Sequence, residues 1–267
     1  MKQIPNIFTL LNLVFGCLAI IAAMQSGLIP VFSQSSDGAW FAAINPDTGS
    51  QYLSIPEKIY MASVFIGCAA VIDFLDGFVA RLLKASSEIG KQLDSLADVV
   101  SFGVAPGLII YQFLRLSFAQ QEGGLDVSIL WLAPAFLIPC AGAYRLARFN
   151  VDITESHGFK GVPIPAAGLL IASFPLIYWF SNTELIITLF TNQWFWYGVI
   201  FIVSYLMIST LPMMALKFSG VSMKKLMPFI IIAIIAIISA FLFGWLAVPI
   251  SFVAYVILSL LAKQKES

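Results

Sequence analysis

The chain has 267 residues, of which 60% are hydrophobic and only 10% charged, against roughly 45–50% and 25% in an average globular domain. So few charges cannot cover a soluble surface, which excludes a cytosolic enzyme, and an aromatic content of 14% excludes a disordered chain. Fourteen Lys and Arg balance fourteen Asp and Glu, so nothing in the charge points to nucleic acid. The apolar runs are long enough for helices rather than barrel strands, and the expected class is an all-α, polytopic helix bundle of the lipid bilayer.

In chain order, apolar segments fall at 7–26, 59–83, 90–114, 129–149, 164–181, 194–214, 226–244 and 247–262. Most approach the ~20 residues that cross a ~30 Å hydrocarbon core. The first carries Asn6, Thr9 and Asn12 and lacks a convincing small-x-small cleavage site, so it reads as a retained span rather than a signal peptide. The polar loop 27–57 is assigned no chemistry. The run 226–262 is too long for one helix, and Gly244 and Pro249 mark a turn that splits it in two. With the N-terminus in the cytoplasm, eight spans place 12 of the 14 basic residues at cytoplasmic ends, leaving only Lys58 and Arg115 outside, as the positive-inside rule requires. Both termini and the site are then expected on the cytoplasmic face of a cell (inner) membrane. The aromatic clusters Tyr178–Phe180 and Trp194–Tyr197 fit an outer interfacial belt. Cys17, Cys68 and Cys140 stand alone in apolar runs, which reads as packing rather than a metal or disulfide framework.

Four acids do not belong in such spans. Asp73 and Asp76 lie in the second, Asp94 and Asp98 in the third. An ionisable side chain near the middle of a span costs about 2.5–3.5 kcal/mol on insertion scales, less toward the ends. Spacings of i,i+3 and i,i+4 put each pair on one helix face. Asp73, Asp76, Gly77 and Ala80 form one stripe, and Gly90, Asp94, Asp98 and Ser101 another. A short polar turn at 84–89 makes the two helices antiparallel neighbours, so facing stripes bring four carboxylates together. Unaccompanied, they would repel and take up protons. Divalent cations relieve this, and oxygen-only ligands select hard ions: Mg²⁺ or Mn²⁺, with Ca²⁺ also admissible. The small residues Gly77, Ala80 and Gly90 are expected to leave a gap beside the ions, with Arg81 at its mouth suited to a phosphate oxygen. On residues alone, an intramembrane prenyltransferase and a divalent-cation transporter remain alternatives. The first also binds a diphosphate through carboxylate-held Mg²⁺. The second needs access from both faces, whereas these acids crowd toward one.

The pattern Asp73-x2-Asp76-Gly77-x2-Ala80-Arg81-x8-Gly90-x3-Asp94-x3-Asp98 resembles the signature of the CDP-alcohol phosphatidyltransferases, with no substitution. The resemblance implies a six-helix core, two divalent ions held by Asp73, Asp76, Asp94 and Asp98, and a homodimer. It further implies Asp98 as general base, and Gly77, Ala80 and Arg81 along the CDP-lipid site. Asn6 and Thr9 are further candidates for that site, since they share a helix face with Asn12 and Gly16. The segments Ile4–Gly16, Arg145–Asn150, Phe159–Ala166 and Ser209–Pro212 resemble the membrane-embedded, serine-accepting branch of the family over roughly 4–217. One departure is Val162, where Leu is more usual. This branch implies phospholipid biosynthesis, with CDP-diacylglycerol and L-serine as substrates and phosphatidylserine and CMP as products. Glycerol 3-phosphate and an inositol phosphate are the alternative acceptors. Arg145 and Arg148, one turn apart, and Lys217 are candidates to hold the acceptor's carboxylate or the lipid phosphate. The family core is taken as 1–217. The remainder, 218–267, is read as a C-terminal transmembrane hairpin for packing or partner contact, with a short tail. The lone His157 reads as a surface residue.

Overall fold

The computed structural model describes residues 4–24, 42–44, 51–53, 59–83, 87–119, 127–151, 159–181, 183–214 and 223–264. Helix α1 (Ile4–Met24) and α2 (Ile59–Leu83) are largely apolar, apart from Asn6, Thr9 and Asn12 on the first and Asp73, Asp76 and Arg81 on the second, and they pack against each other. Strands β1 (Ala42–Ile44) and β2 (Gln51–Leu53) form a short antiparallel ladder between them, with Ala42 opposite Leu53. No strand was expected in that loop.

After Ser87, whose hydroxyl accepts from the Gly90 amide at 3.0 Å and so caps the helix, one helical rod runs from residue 88 to 119. It consists of α3 (Glu88–Asp98), a π-helical turn at Val99–Val104, and α4 (Ala105–Ala119). The π turn is marked by the Ala105 amide donating to the Val100 carbonyl. Pro106 follows it, and a proline there has no N–H to return to the carbonyl four residues back. The expected span of 90–114 is therefore lengthened and changes its winding just beyond Asp98. Along α4 almost every side chain is buried, which makes this rod the axis of the bundle.

Short α5 (Ile129–Leu132) passes through a 3-10 turn at Ala133–Phe136 into α6 (Leu137–Val151). Then come β3 (Phe159–Lys160), α7 (Ile164–Phe180), α8 (Glu184–Phe190) and α9 (Gln193–Ile208). The axes of α8 and α9 differ by 72°, with Asn192 capping α9 through the Trp194 amide. The sixth span, expected to run to 214, ends at Ile208. Pro212 and Met213 form β4, which pairs antiparallel with β3. Finally α10 (Met223–Phe243) and α11 (Ala247–Gln264) pack on one another. They are joined at Gly244, whose φ of +57° is a left-handed conformation that suits glycine. The expected division of this run is thus present.

Among the described residues, five helical stretches are long and apolar enough to cross a bilayer, and the bent α8–α9 pair makes six. The 17-residue α7 is shorter, and the last of the five, 36 residues long, folds back at Gly244. The chain is a polytopic, membrane-embedded helix bundle.

The core divides along the rod. From Asp98 to Phe113 is fifteen residues, about 22 Å of helix. At the far end Phe113 stacks on Trp196 with centroids 4.6 Å apart, and Phe174 and Phe190 meet Trp196 edge-on. Trp196 is fully buried and donates its indole N–H to the Phe190 carbonyl at 2.8 Å. It is a core residue, not the belt residue expected, whereas Trp194 two positions earlier is 71% exposed. The other end of the rod carries the acids.

Candidate active site

Helix α1 packs against both α2 and α3, and polar side chains of all three meet at one end of the bundle. Asp73, Asp76 and Asp94 each offer a carboxylate oxygen, and the three oxygens lie within 4.8 Å of one another. Asp76 and Asp98 are buried, and Asp73 and Asp94 half-buried. The carboxyl of Asp98 lies within hydrogen-bonding reach of Asp73. All four acids are therefore in one cluster, as their helical spacing requires.

Little in the protein balances this charge. Thr9 on α1 donates its hydroxyl to Asp76 Oδ2 at 2.7 Å, and the buried oxygens Asp94 Oδ1 and Asp98 Oδ1 have no hydrogen-bond partner among the described residues. A buried polar atom left unpaired costs about 1–3 kcal/mol, more if charged. The converging oxygens of Asp73, Asp76 and Asp94, with the unpaired oxygen of Asp98 nearby, form an oxygen-only donor set that fits hard divalent cations.

The small residues divide. Beside Gly77 there is open space: a Cβ built there meets nothing within 4 Å. Ala80, one turn on, is half-buried. Gly90, expected to share this gap, instead faces α1, where a Cβ would come within 3.0 Å of Asn6 Oδ1 and of Ser87 Oγ. Gly90 lets α1 approach α3, and Asn6 is the residue that meets it. Ser101, also placed in the acidic stripe, turns to α1 and donates to the Asn12 carbonyl at 3.1 Å. The Asn12 side chain is fully buried, and neither of its amide atoms has a partner among the described residues. Arg81 is exposed and folds back so that Nε donates to the Gly77 carbonyl at 2.9 Å, which sets the guanidinium at the rim of the open space.

The two arginines of α6 behave differently. Arg148 spends its terminal nitrogens on backbone: Nη1 donates to the Ile208 carbonyl at 2.9 Å, and Nη2 to the Ser209 carbonyl at 3.0 Å and more weakly to the Lys160 carbonyl at 3.4 Å. It binds the end of α9 and the β3 strand to α6. Arg145 is only 6% exposed, its Nε has no hydrogen-bond partner among the described residues, and it lies within electrostatic reach of Asp98 and of Tyr255 on α11. Asn150, quoted in the α6 motif but given no role, donates to Ser95 Oγ at 2.8 Å and so fastens α6 to α3 beside Asp94. Its place three residues from a charged turn was no signal of that contact. Lys217 and His157 lie outside the described residues.

The segments 159–163 and 209–214, distant in sequence, meet. Besides the β3–β4 pairing, the Gly161 amide donates to the Leu211 carbonyl at 2.8 Å and the Val162 amide to the Leu206 carbonyl at 3.0 Å. Gly161 has a φ of +74°, and a Cβ on it would strike the carbonyl oxygens of Met207 and Ser209. Only glycine fits that position.

Comparison with known proteins agrees with this arrangement. The family model of CDP-alcohol phosphatidyltransferases matches residues 2–194. Over 134 residues the chain is 41% identical to a CDP-diacylglycerol–serine O-phosphatidyltransferase of Helicobacter pylori, covering 48% of this chain and 53% of that protein. Over 123 residues it is 36% identical to the protein of the same name from Bacillus subtilis, covering 45% and 63%. Over 143 residues it is 36% identical to an archaetidylserine synthase of Methanothermobacter thermautotrophicus, covering 52% and 57%. The matches thus span between about half and three fifths of the relatives' own length.

Proposed function

The chain belongs to the CDP-alcohol phosphatidyltransferase family, and on that premise we propose that it transfers the phosphatidyl group of CDP-diacylglycerol to the hydroxyl of L-serine, giving phosphatidylserine and CMP. The single observation that carries the chemistry is the convergence of Asp73, Asp76 and Asp94 oxygens within 4.8 Å beside the open flank of Gly77. The acceptor is supported by what the relatives are named for: they differ in lipid, phosphatidyl against archaetidyl, and share serine.

In this reading Asp73, Asp76, Asp94 and Asp98 hold two divalent cations, Mg²⁺ or Mn²⁺. When bound, such ions neutralise the diphosphate and polarise the phosphorus under attack. The remaining work falls to the chain's own groups. Phosphoryl transfer depends on positioning and charge more than on covalent chemistry. The gap at Gly77 and Ala80 admits the diphosphate, with the exposed Arg81 fork at its rim for a phosphate oxygen. Thr9 orients Asp76, while Asn6 lines the α1 side. A serine hydroxyl holds its proton tightly at neutral pH, so its oxygen needs a base within hydrogen-bond reach. Asp98, with one oxygen unpaired, takes that proton as the serine oxygen bonds to the phosphatidyl phosphorus. The bond from that phosphorus to CMP breaks, and CMP leaves with its electron pair. Arg145 is positioned for the serine carboxylate. The site opens on the cytoplasmic side of the membrane, where the basic residues gather.

Purified protein supplied with CDP-diacylglycerol and Mn²⁺ should release CMP when serine is added, and not when glycerol 3-phosphate or inositol phosphate replaces it. CMP release with glycerol 3-phosphate alone would overturn the serine assignment while keeping the family chemistry.

A further inference from the structure

The family match ends at residue 194, and the last two helices carry no interior charge, so they read as appended packing. Three contacts argue otherwise. On α11, the Tyr255 hydroxyl donates to the Met214 carbonyl at 3.2 Å. One turn later Ser259 Oγ accepts from the Met214 amide at 3.3 Å, and the same hydroxyl donates to the Tyr255 carbonyl at 2.7 Å. Ser259 is 2% exposed. Both backbone groups of one residue, directly after β4, are therefore held by two side chains of a single helix.

That residue ends the strap formed by β3 and β4, whose other side is held by Arg148 through the Ser209 and Lys160 carbonyls. The strap is fixed between α6 and α11, and on α6 the next turn back carries Arg145. Its guanidinium is buried, has one nitrogen without a partner among the described residues, and lies within electrostatic reach of both Asp98 and Tyr255. Apolar packing alone gives no reason for a tyrosine and a serine, one turn apart, to face a backbone amide and carbonyl in a bilayer span. Unpaired polar atoms there are costly, and here each is matched to a partner.

We propose that α11 is a working part of the acceptor end, in which Tyr255 and Ser259 act as positioning residues: they pin Met214 and the β3–β4 strap, and thereby set the Arg145 guanidinium that receives the acceptor's carboxylate. The proposal rests on the reading of Arg145 as the acceptor-binding arginine. The hydrogen bonds of Tyr255 and Ser259 go to Met214 and within α11 rather than to the acidic cluster, so their loss should be felt by one substrate only.

The test compares full-length wild type with Arg145→Lys, Tyr255→Phe and Ser259→Ala in detergent–lipid micelles, measuring KM for serine, KM for CDP-diacylglycerol, kcat and melting temperature. Loss of one such hydrogen bond should raise KM for serine about three- to tenfold, leaving KM for CDP-diacylglycerol within about twofold of wild type. If Tyr255→Phe fails to fold, Ser259→Ala carries the same comparison. An unchanged KM for serine in Arg145→Lys overturns the reading of Arg145, and the proposal with it. A raised KM in Arg145→Lys with wild-type values in both α11 variants overturns the role of the hairpin alone. Equal rises for both substrates would mark α11 as packing and overturn it as well.

Discussion

The hydroxyl of Thr9 sits 2.7 Å from Asp76 Oδ2 and 3.2 Å from the carbonyl of Pro5. One proton cannot serve both acceptors fully, and the shorter contact to the carboxylate is the stronger kind. Thr9 therefore fixes the rotamer of Asp76 from the neighbouring helix, as outer groups orient metal ligands. Thr9→Val keeps the shape and removes the hydroxyl. It should raise the Mn²⁺ concentration for half-maximal CMP release about tenfold or more, with the melting temperature near wild type. An unchanged metal requirement would reduce Thr9 to a helix-packing residue.

Asp98→Asn keeps volume and hydrogen-bonding capacity but cannot take a proton. Turnover should fall by about two to four orders of magnitude, the usual range for a lost general base. CDP-diacylglycerol binding, measured directly by calorimetry, should survive because Asp73, Asp76 and Asp94 remain. Normal turnover in this variant would remove Asp98 as the base.

Gly77→Leu fills the space that is open around Gly77. CDP-lipid affinity should be lost while the helix bundle persists, since among the described residues nothing beyond the helix's own neighbouring backbone lies within 4 Å of the new Cβ. Gly90→Leu should instead destabilise the fold, because a Cβ at that position would lie only 3.0 Å from Asn6 Oδ1 and from Ser87 Oγ, and a leucine reaches further. Thermal melting of the two variants side by side checks the contrast.

Arg148→Ala removes the hydrogen bonds to the Ile208 and Ser209 carbonyls, at about 0.5–1.5 kcal/mol for each. Melting temperature should drop markedly. Arg148→Lys should restore little of it, because an ammonium lacks the planar fork that reaches both carbonyls. A melting temperature equal to wild type in Arg148→Ala would show that other groups hold the strap.

The acids were readable before any coordinates because a charge inside an apolar span is expensive and has few explanations. Asp73, Asp76, Asp94 and Asp98 accordingly converge as their i,i+3 and i,i+4 spacings require. The spans were readable for the same reason, since hydropathy reports transfer into lipid. What hydropathy does not report is winding. The π turn at Val99–Val104 changes no residue's polarity, and Pro106 was its only trace. Helix faces drawn at 100° per residue place Gly77 and Gly90 alike. Which of them meets open space was decided by the register of α1 against α3, where Asn6 comes to rest on Gly90. The β3–β4 strap was hidden because strands of two residues are too short for any alternation to register. Gly161 and Pro212 marked only a break in helix. Arg145 and Arg148, one turn apart and chemically alike, were separated by a feature absent from the sequence: three backbone carbonyls converge on one and not on the other.

The most direct test of the account counts metal. Mn²⁺ titrated into the purified protein with CDP-diacylglycerol and followed by electron paramagnetic resonance should show two ions bound per chain. Asp76→Ala and Asp94→Ala should each lose bound Mn²⁺ and CMP release together. If wild type binds no Mn²⁺, or if both variants bind it as wild type does, the four carboxylates do not form a cation-held diphosphate site, and the proposed chemistry is contradicted.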